Sequence, residues 1–163
     1  MTMSQLSWDS AIGADGQFPR LDHVGILVRD MEHTLAQWQS RFGVSVASTF
    51  EAPSLDIRAT FLALASAKIE LYTIDEPEAL DRALGGAPAK IDHIALRFGK
   101  ALSDVELSGC AIRGPGRPDP ISAPFHIAGS DHVWTEPPGI NVLLQLITPS
   151  DIALSSFGGV TNT

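Results

Sequence analysis

Two histidines seventy residues apart occupy the same local setting. His23 lies in Leu21-Asp22-His23-Val24-Gly25-Ile26 and His93 in Ile91-Asp92-His93-Ile94-Ala95-Leu96, each run preceded by a basic residue, Arg20 or Lys90. A second echo follows each copy: "KIELYT", Lys68 to Thr73, against "LLQLIT", Leu143 to Thr148, which sets Glu70 opposite Gln145. Taken singly these residues have ordinary explanations. A histidine at a strand start is usually a surface or hydrogen-bonded one, Glu70 reads as a solvent-facing strand residue and Gln145 as a satisfied core amide. Four donors at matched positions of two copies are hard to obtain from packing alone. If the copies pack about a pseudo-twofold axis, the first strands bring His23 and His93 together and the last strands bring Glu70 and Gln145 to the same point. Two imidazoles, a carboxylate and an amide oxygen suit a divalent ion such as Zn, Co, Ni, Mn or Fe. Such a set leaves a charge of about +1 on the ion and its ligands, a Lewis acid able to polarise a carbonyl. In this reading His23 faces inward and Asp22 points away or caps the strand.

The elements that must position these residues follow from periodicity. "HVGILV" is a strand, and Asp30 caps the helix "MEHTLAQWQSRF", whose Met31, Leu35, Trp38 and Phe42 share one core-directed face before Gly43 ends it. Strands are expected over Val44–Phe50, Ile57–Leu64 and Lys68–Ile74, joined by short connections. The second copy predicts "HIALRF", a short helix near Leu102–Leu107, and strands near Cys110–Arg113, Asp131–Thr135 and Asn141–Ile147. Its middle, "RGPGRPDPISAPFHIAGSD", is Pro- and Gly-rich and reads as a long loop or broken strand. The class is therefore α+β, with two pseudo-symmetric βαβββ modules. The expected boundaries are an N-terminal extension over 1–19, one domain over 20–149 and a tail over 150–163. Module one covers 20–76, a linker 77–89 with a helical turn at Pro77–Leu84, and module two 90–149. Cys110 reads as a small buried strand residue, and Arg58 and Arg97 as either solvent-facing or contacts for an anionic substrate group.

Composition narrows the partners. Eleven basic against nineteen acidic residues give a net charge of −8 with no basic cluster, which argues against nucleic acid and anionic lipid. A lone cysteine cannot form an internal disulfide. No apolar run approaches a membrane span, and the first twenty residues lack the pattern of a secretory signal, so a cytosolic setting is expected.

The same residues carry a family resemblance. "LDHVGILVRDMEHTLAQWQSRFG", "KIELYTI", "IDHIALRF" and "GINVLLQLI" resemble the landmarks of the vicinal oxygen chelate superfamily, which includes glyoxalase I, methylmalonyl-CoA epimerase, extradiol dioxygenases and the fosfomycin and bleomycin resistance proteins. The resemblance spans about Arg20 to Pro149. It implies that the modules curl into an open, incomplete β-barrel with metal and substrate inside, Trp134 and Phe125 on its wall, and a homodimer as a common assembly. The nearest look is to methylmalonyl-CoA epimerase and glyoxalase I. The epimerase pattern resembles His, Gln, His, Glu in chain order, whereas this chain has His23, Glu70, His93, Gln145: amide and carboxylate have changed places. The family's further catalytic glutamate aligns with Ser54, with Glu51 and Asp56 nearby. Mirroring the site across the axis instead makes Glu70 the group that moves a proton and places its partner near Gly129, beside His126, Asp131 and His132.

Three functions follow. The leading one is a divalent-metal enzyme that abstracts a proton next to a carbonyl of a small carbonyl or acyl-thioester substrate, as an epimerase, isomerase or glyoxalase-type lyase does. The second is an Fe(II) dioxygenase using His23, His93 and Glu70, disfavoured because Gln145 would occupy a position oxygen needs. The third is a non-catalytic module that sequesters an antibiotic or other small molecule.

Overall fold

The chain alternates one long strand, a helix and a run of strands, then does so again. A computed structural model describes residues 18–53, 56–114 and 120–150. The expected terminal segments, apart from a few residues at their inner ends, and Ser54 lie outside the described residues. The first unit is β1 (Arg20–Val28), α1 (Met31–Phe42), β2 (Val46–Ala52), β3 (Ile57–Ala63) and β4 (Lys68–Ile74). After α2 (Pro77–Leu84) the second unit is β5 (Ala89–Arg97), β6 (Ile112–Arg113), β7 (Phe125–Ile127), β8 (Ser130–Thr135) and β9 (Leu144–Pro149).

All the strands join one mixed sheet in the order β2-β3-β4-β1-β5-β9-β8-β6, with β7 hydrogen-bonded to β8. The two halves meet along the antiparallel β1–β5 seam. In each half the first strand pairs in parallel with the last, β1 with β4 and β5 with β9. The registers repeat: Gly25 stands across from Glu70, and Ala95 across from Gln145. The outcome is the α+β open barrel, a curled sheet whose edge strands β2 and β6 do not pair with each other.

The helices form for local reasons. Asp30 accepts from the His33 amide and Gly43 takes the left-handed conformation (φ 64°), so α1 is capped at both ends. Met31, Leu35 and Trp38 pack against Val28, Leu62 and Leu71 on the outer face of the first half. Phe42 departs from expectation: it is 67% exposed at the last position of the helix, with its ring against that of Trp38. The expected single turn in the linker is a full helix, α2, with Glu76 accepting from the amides of Glu78 and Ala79 and Pro77 in the first turn. Its Leu80 and Leu84 are buried against Leu27, Ile57, Ala59 and Tyr72.

The second half is a reduced copy. The helix expected over Leu102–Leu107 is only a 3₁₀ turn, Leu102–Asp104, with no side-chain cap from Ala101. Ser103, Asp104, Ser108 and Gly109 favour local turns over a helix. Cys110 is half-buried in the loop before β6, not within a strand. The Pro-rich middle still contributes β7, which folds back onto β8 through Ala128 and Gly129, both at positive φ.

Candidate functional site

Adjacent strand residues normally point to opposite faces, yet Asp22 and His23 both line the same cavity, as do Asp92 and His93. The register explains this. Leu21 pairs with Leu96 and His23 with Ala95, leaving Asp22 as an extra residue; Gly25 pairs with His93 and Ile26 with Ile91, leaving Asp92 as another. Each Asp-His pair thus sits on a β-bulge, which re-aims a side chain where the ladder is interrupted. The expectation that Asp22 points away is corrected: its carboxylate accepts from His23 Nδ1 at 2.8 Å, and Asp92 accepts from His93 Nδ1 at 3.1 Å.

Those contacts fix the tautomers. A carboxylate accepts, so each Nδ1 carries the proton and each Nε2 presents a lone pair to the cavity. The two Nε2 atoms are 3.3 Å apart. Glu70 Oε2 lies 3.3 Å from His23 Nε2 and 3.1 Å from His93 Nε2. All three ligand atoms fall within 4.8 Å of one another. Three acceptors that converge with no donor between them need a cation, or protons on the imidazoles.

Small residues make this approach possible. His93 stands over Gly25, where a Cβ would come within 2.2 Å of its Cε1, and His23 stands over the fully buried Ala95. Aromatic rings brace the imidazoles edge-on: Phe61 against His23 at 5.3 Å and Trp134 against His93 at 6.3 Å. Phe61 is the register partner of Glu70 and Trp134 that of Gln145, so the braces obey the same pseudo-symmetry.

Gln145 is buried, and its Nε2 donates to His132 Nδ1 at 3.1 Å. Its Oε1 is buried without a hydrogen-bond partner among the described residues. An orphaned buried carbonyl costs about 1–3 kcal/mol. As the fourth member of an imidazole, imidazole, carboxylate and amide set it has the chemistry of a metal ligand, and the donor set fits a divalent ion.

Electrostatics agree with the geometry. Burial opposes charge on His93, but Asp92 and Glu70 outweigh it and raise its pKa to about 9. Burial likewise opposes charge on His23, which Asp22 and Glu70 still raise. Burial raises Glu70, yet the two imidazoles bring it down to about 2. His132 is driven down to about 4 by burial, with Arg97 and His23 adding to the effect, so it is neutral at pH 7.

The cavity, about 260 Å³, also admits Lys68, Tyr72, Arg97 and His132. Of the polar group expected around Gly129, only His132 lines it. His126 and Asp131 bond each other at 3.1 Å away from the cavity, because Asp131 alternates with His132 along β8 and His126 is its register partner on β7. Glu51 and Asp56 do not line it either. Sequence reasoning missed Asp92, Gly25 and Tyr72 as site residues. The repeated Asp-His pair carried the signal for the first, and the Gly25–Ala95 match in the two copies that for the second. Arg97 belongs to the cavity, while Arg58 is exposed and paired with Asp75.

Comparison with known proteins places this arrangement. Solved structures share the fold: a hypothetical protein, BH1468, from Bacillus halodurans C-125 (20% identity, TM-score 0.65, 82% of this chain and 96% of that one). Methylmalonyl-CoA epimerase from Mycobacterium tuberculosis aligns at 19% identity and TM-score 0.65, over 83% of this chain and 91% of that one. A variant of the Streptomyces coelicolor methylmalonyl-CoA epimerase in complex with 2-nitronate-propionyl-CoA aligns at 19% and 0.65, over 80% and 97%. No curated protein matches the chain significantly. Residues 22–109, more than half of the sequence, match the pattern of the Glyoxalase/Bleomycin resistance protein/Dioxygenase superfamily. With that match, the paired modules and the open barrel in agreement, the chain belongs to this superfamily, the vicinal oxygen chelate proteins.

Proposed function

We propose that the chain is a divalent-metal-dependent enzyme that removes a proton next to a carbonyl in a small carbonyl or acyl-thioester substrate, as an epimerase, isomerase or glyoxalase-type lyase does. One observation carries the reading: three acceptors, His23 Nε2, His93 Nε2 and Glu70 Oε2, converge with the orphaned Gln145 Oε1 in the same cavity. His23, His93, Glu70 and Gln145 would hold the ion. Bound there, it supplies Lewis acidity that polarises a substrate carbonyl and acidifies the adjacent C–H.

The chain's own residues do the rest. Asp22 and Asp92 keep the imidazoles in the ligating tautomer. Glu70, ionised at neutral pH, accepts the proton. His132, neutral and inside the cavity, is a second group within the site able to exchange a proton. Phe50, Phe61, Trp134 and Ile147 keep water from the reacting carbon. The epimerases among the solved structures support the class of reaction, not its substrate. The reading extends to a cytosolic homodimer, checked by light scattering.

The test combines metal analysis with solvent-deuterium exchange into 2-substituted carbonyl compounds and acyl thioesters. A redox-inert metal with exchange, abolished by Glu70→Gln, is the expected result. Failure to bind any divalent metal, or undiminished exchange in that variant, rejects the reading. A second reading has a specific observation behind it: His23, His93 and Glu70 alone form the two-histidine, one-carboxylate set of non-haem Fe(II) oxygenases. Oxygen uptake by iron-loaded protein would favour it.

A further inference from the structure

The two halves place equivalent groups around the cavity, so its departures from symmetry single out what each half adds. Lys68 and Leu143 are equivalent in the repeat: Lys68 stands across from His23, and Leu143 immediately precedes Leu144, which stands across from Ile94. Arg97 and Leu27 are equivalent in the same way, across from Ile147 and Tyr72. Each half thus has a leucine at one of these places and a cation at the other, Lys68 in the first half and Arg97 in the second, and both cations line the cavity.

Both cations gather on Asp22. Lys68 Nζ is 3.0 Å from Asp22 Oδ1, and Arg97 Nε is 2.8 Å from Asp22 Oδ2. Arg97 Nη1 also reaches Ser130 Oγ at 3.5 Å. Holding an imidazole does not require this. Asp92 does the same for His93 with a hydroxyl, that of Tyr72, and with no Lys or Arg in ion-pair contact among the described residues. At this point of the wall two cations face one carboxylate, in a protein whose net charge is −8. Asp22 is almost buried, its side chain 10% exposed, while those of Lys68 and Arg97 are 38% and 33% exposed, so the cationic groups lie on the accessible side of the carboxylate. The contacts above engage two of the five N–H donors of the guanidinium, a fork suited to a second oxyanion.

From this we infer that Lys68 and Arg97 form an anion subsite, which makes the substrate a molecule bearing a carboxylate or phosphate beside its reacting carbonyl. The inference rests on the proposed function for the word substrate, but the binding site itself does not. The apolar part of the lining, with Phe50, Ile57, Ile127 and Trp134, receives the apolar remainder.

The test is calorimetric titration of metal-free protein at pH 7 with malonate, with inorganic phosphate and with neutral malonamide. Malonate or phosphate binding, absent for malonamide and weakened at least tenfold in Lys68→Met, is expected; the preferred anion tells carboxylate from phosphate. Arg97→Lys keeps the charge but loses the fork, and should weaken binding as well, with circular dichroism confirming the fold. Equal binding of malonamide, or anion binding unchanged in both variants, overturns the subsite. So does the absence of anion binding to wild-type protein. Cobalt(II) titration of wild-type protein reads the metal centre separately: its failure sinks the proposed enzyme while leaving the anion result to stand on its own.

Discussion

Gly25 has a side chain of one hydrogen because the His93 ring fills the space above it. Gly25→Ala should push that ring aside, lowering affinity for a divalent ion by about 10–100-fold, the scale on which disturbed support of a ligand is felt. Overpacking should also cost about 1–3 kcal/mol in stability. Metal titration and thermal melting of the same variant check both, and unchanged affinity would mean the ring position is not critical. The titrations make a further prediction. Folding raises His93 from 6.5 to about 9, so its contribution to the stability of metal-free protein is present below pH 6.5 and disappears as pH rises through about 9. His132 has the opposite sign: depressed from 6.5 to about 4, it contributes above pH 6.5 and that contribution fades as pH falls toward 4. Melting temperatures of metal-free protein should therefore fall on both sides of about pH 6.5. Metal uptake must displace the His93 proton below pH 9, so apparent affinity should climb about tenfold per pH unit for each proton released and level off above it. Titration in buffers of different ionisation enthalpy counts those protons.

At the level of elements, the parts that were legible in the sequence are those with unbroken periodicity. β1, α1, β3, β4 and β5 lie within a few residues of expectation. The bulges were not legible, since nothing in "LDHV" or "IDHI" says that Asp and His share a face; the cross-strand register decides that. Convergence of His23, His93 and Glu70 followed from repetition, whereas the separation of His126 and Asp131 from His132 depended on strand alternation within a turn too irregular to read. The missing second helix has a similar cause, because "ALSDVELSGC" is balanced between helix and turn until packing chooses. α2, expected as a single turn, matters more than its length suggests. Leu80 and Leu84 pack on Tyr72, which lines the cavity and bonds Asp92. Leu84→Ala should cost about 2–5 kcal/mol, seen as a lower urea midpoint, and metal affinity should fall with it if Tyr72 shifts. A stability loss with intact affinity would separate the helix from the site.

For the whole molecule, the β1–β5 seam means that neither half owns the centre: His23 and Glu70 come from one, His93 and Gln145 from the other. The symmetry is close in backbone and broken in charge, with a carboxylate at one of two equivalent positions and an amide at the other. That difference has a stereochemical meaning. His23, Glu70, His93 and Gln145 would hold an ion between the two halves, so a substrate carbon beside it would turn one face to each half, and inversion through the ligands themselves would need a proton-carrying group toward each face. Glu70 can serve one; the Gln145 amide cannot serve the other. With racemic substrate, deuterium from solvent should enter one enantiomer much faster than its mirror image, as chiral chromatography coupled to mass spectrometry would show. Equal labelling of both would instead assign the second face to another group in the cavity, with His132 the neutral imidazole beside the amide.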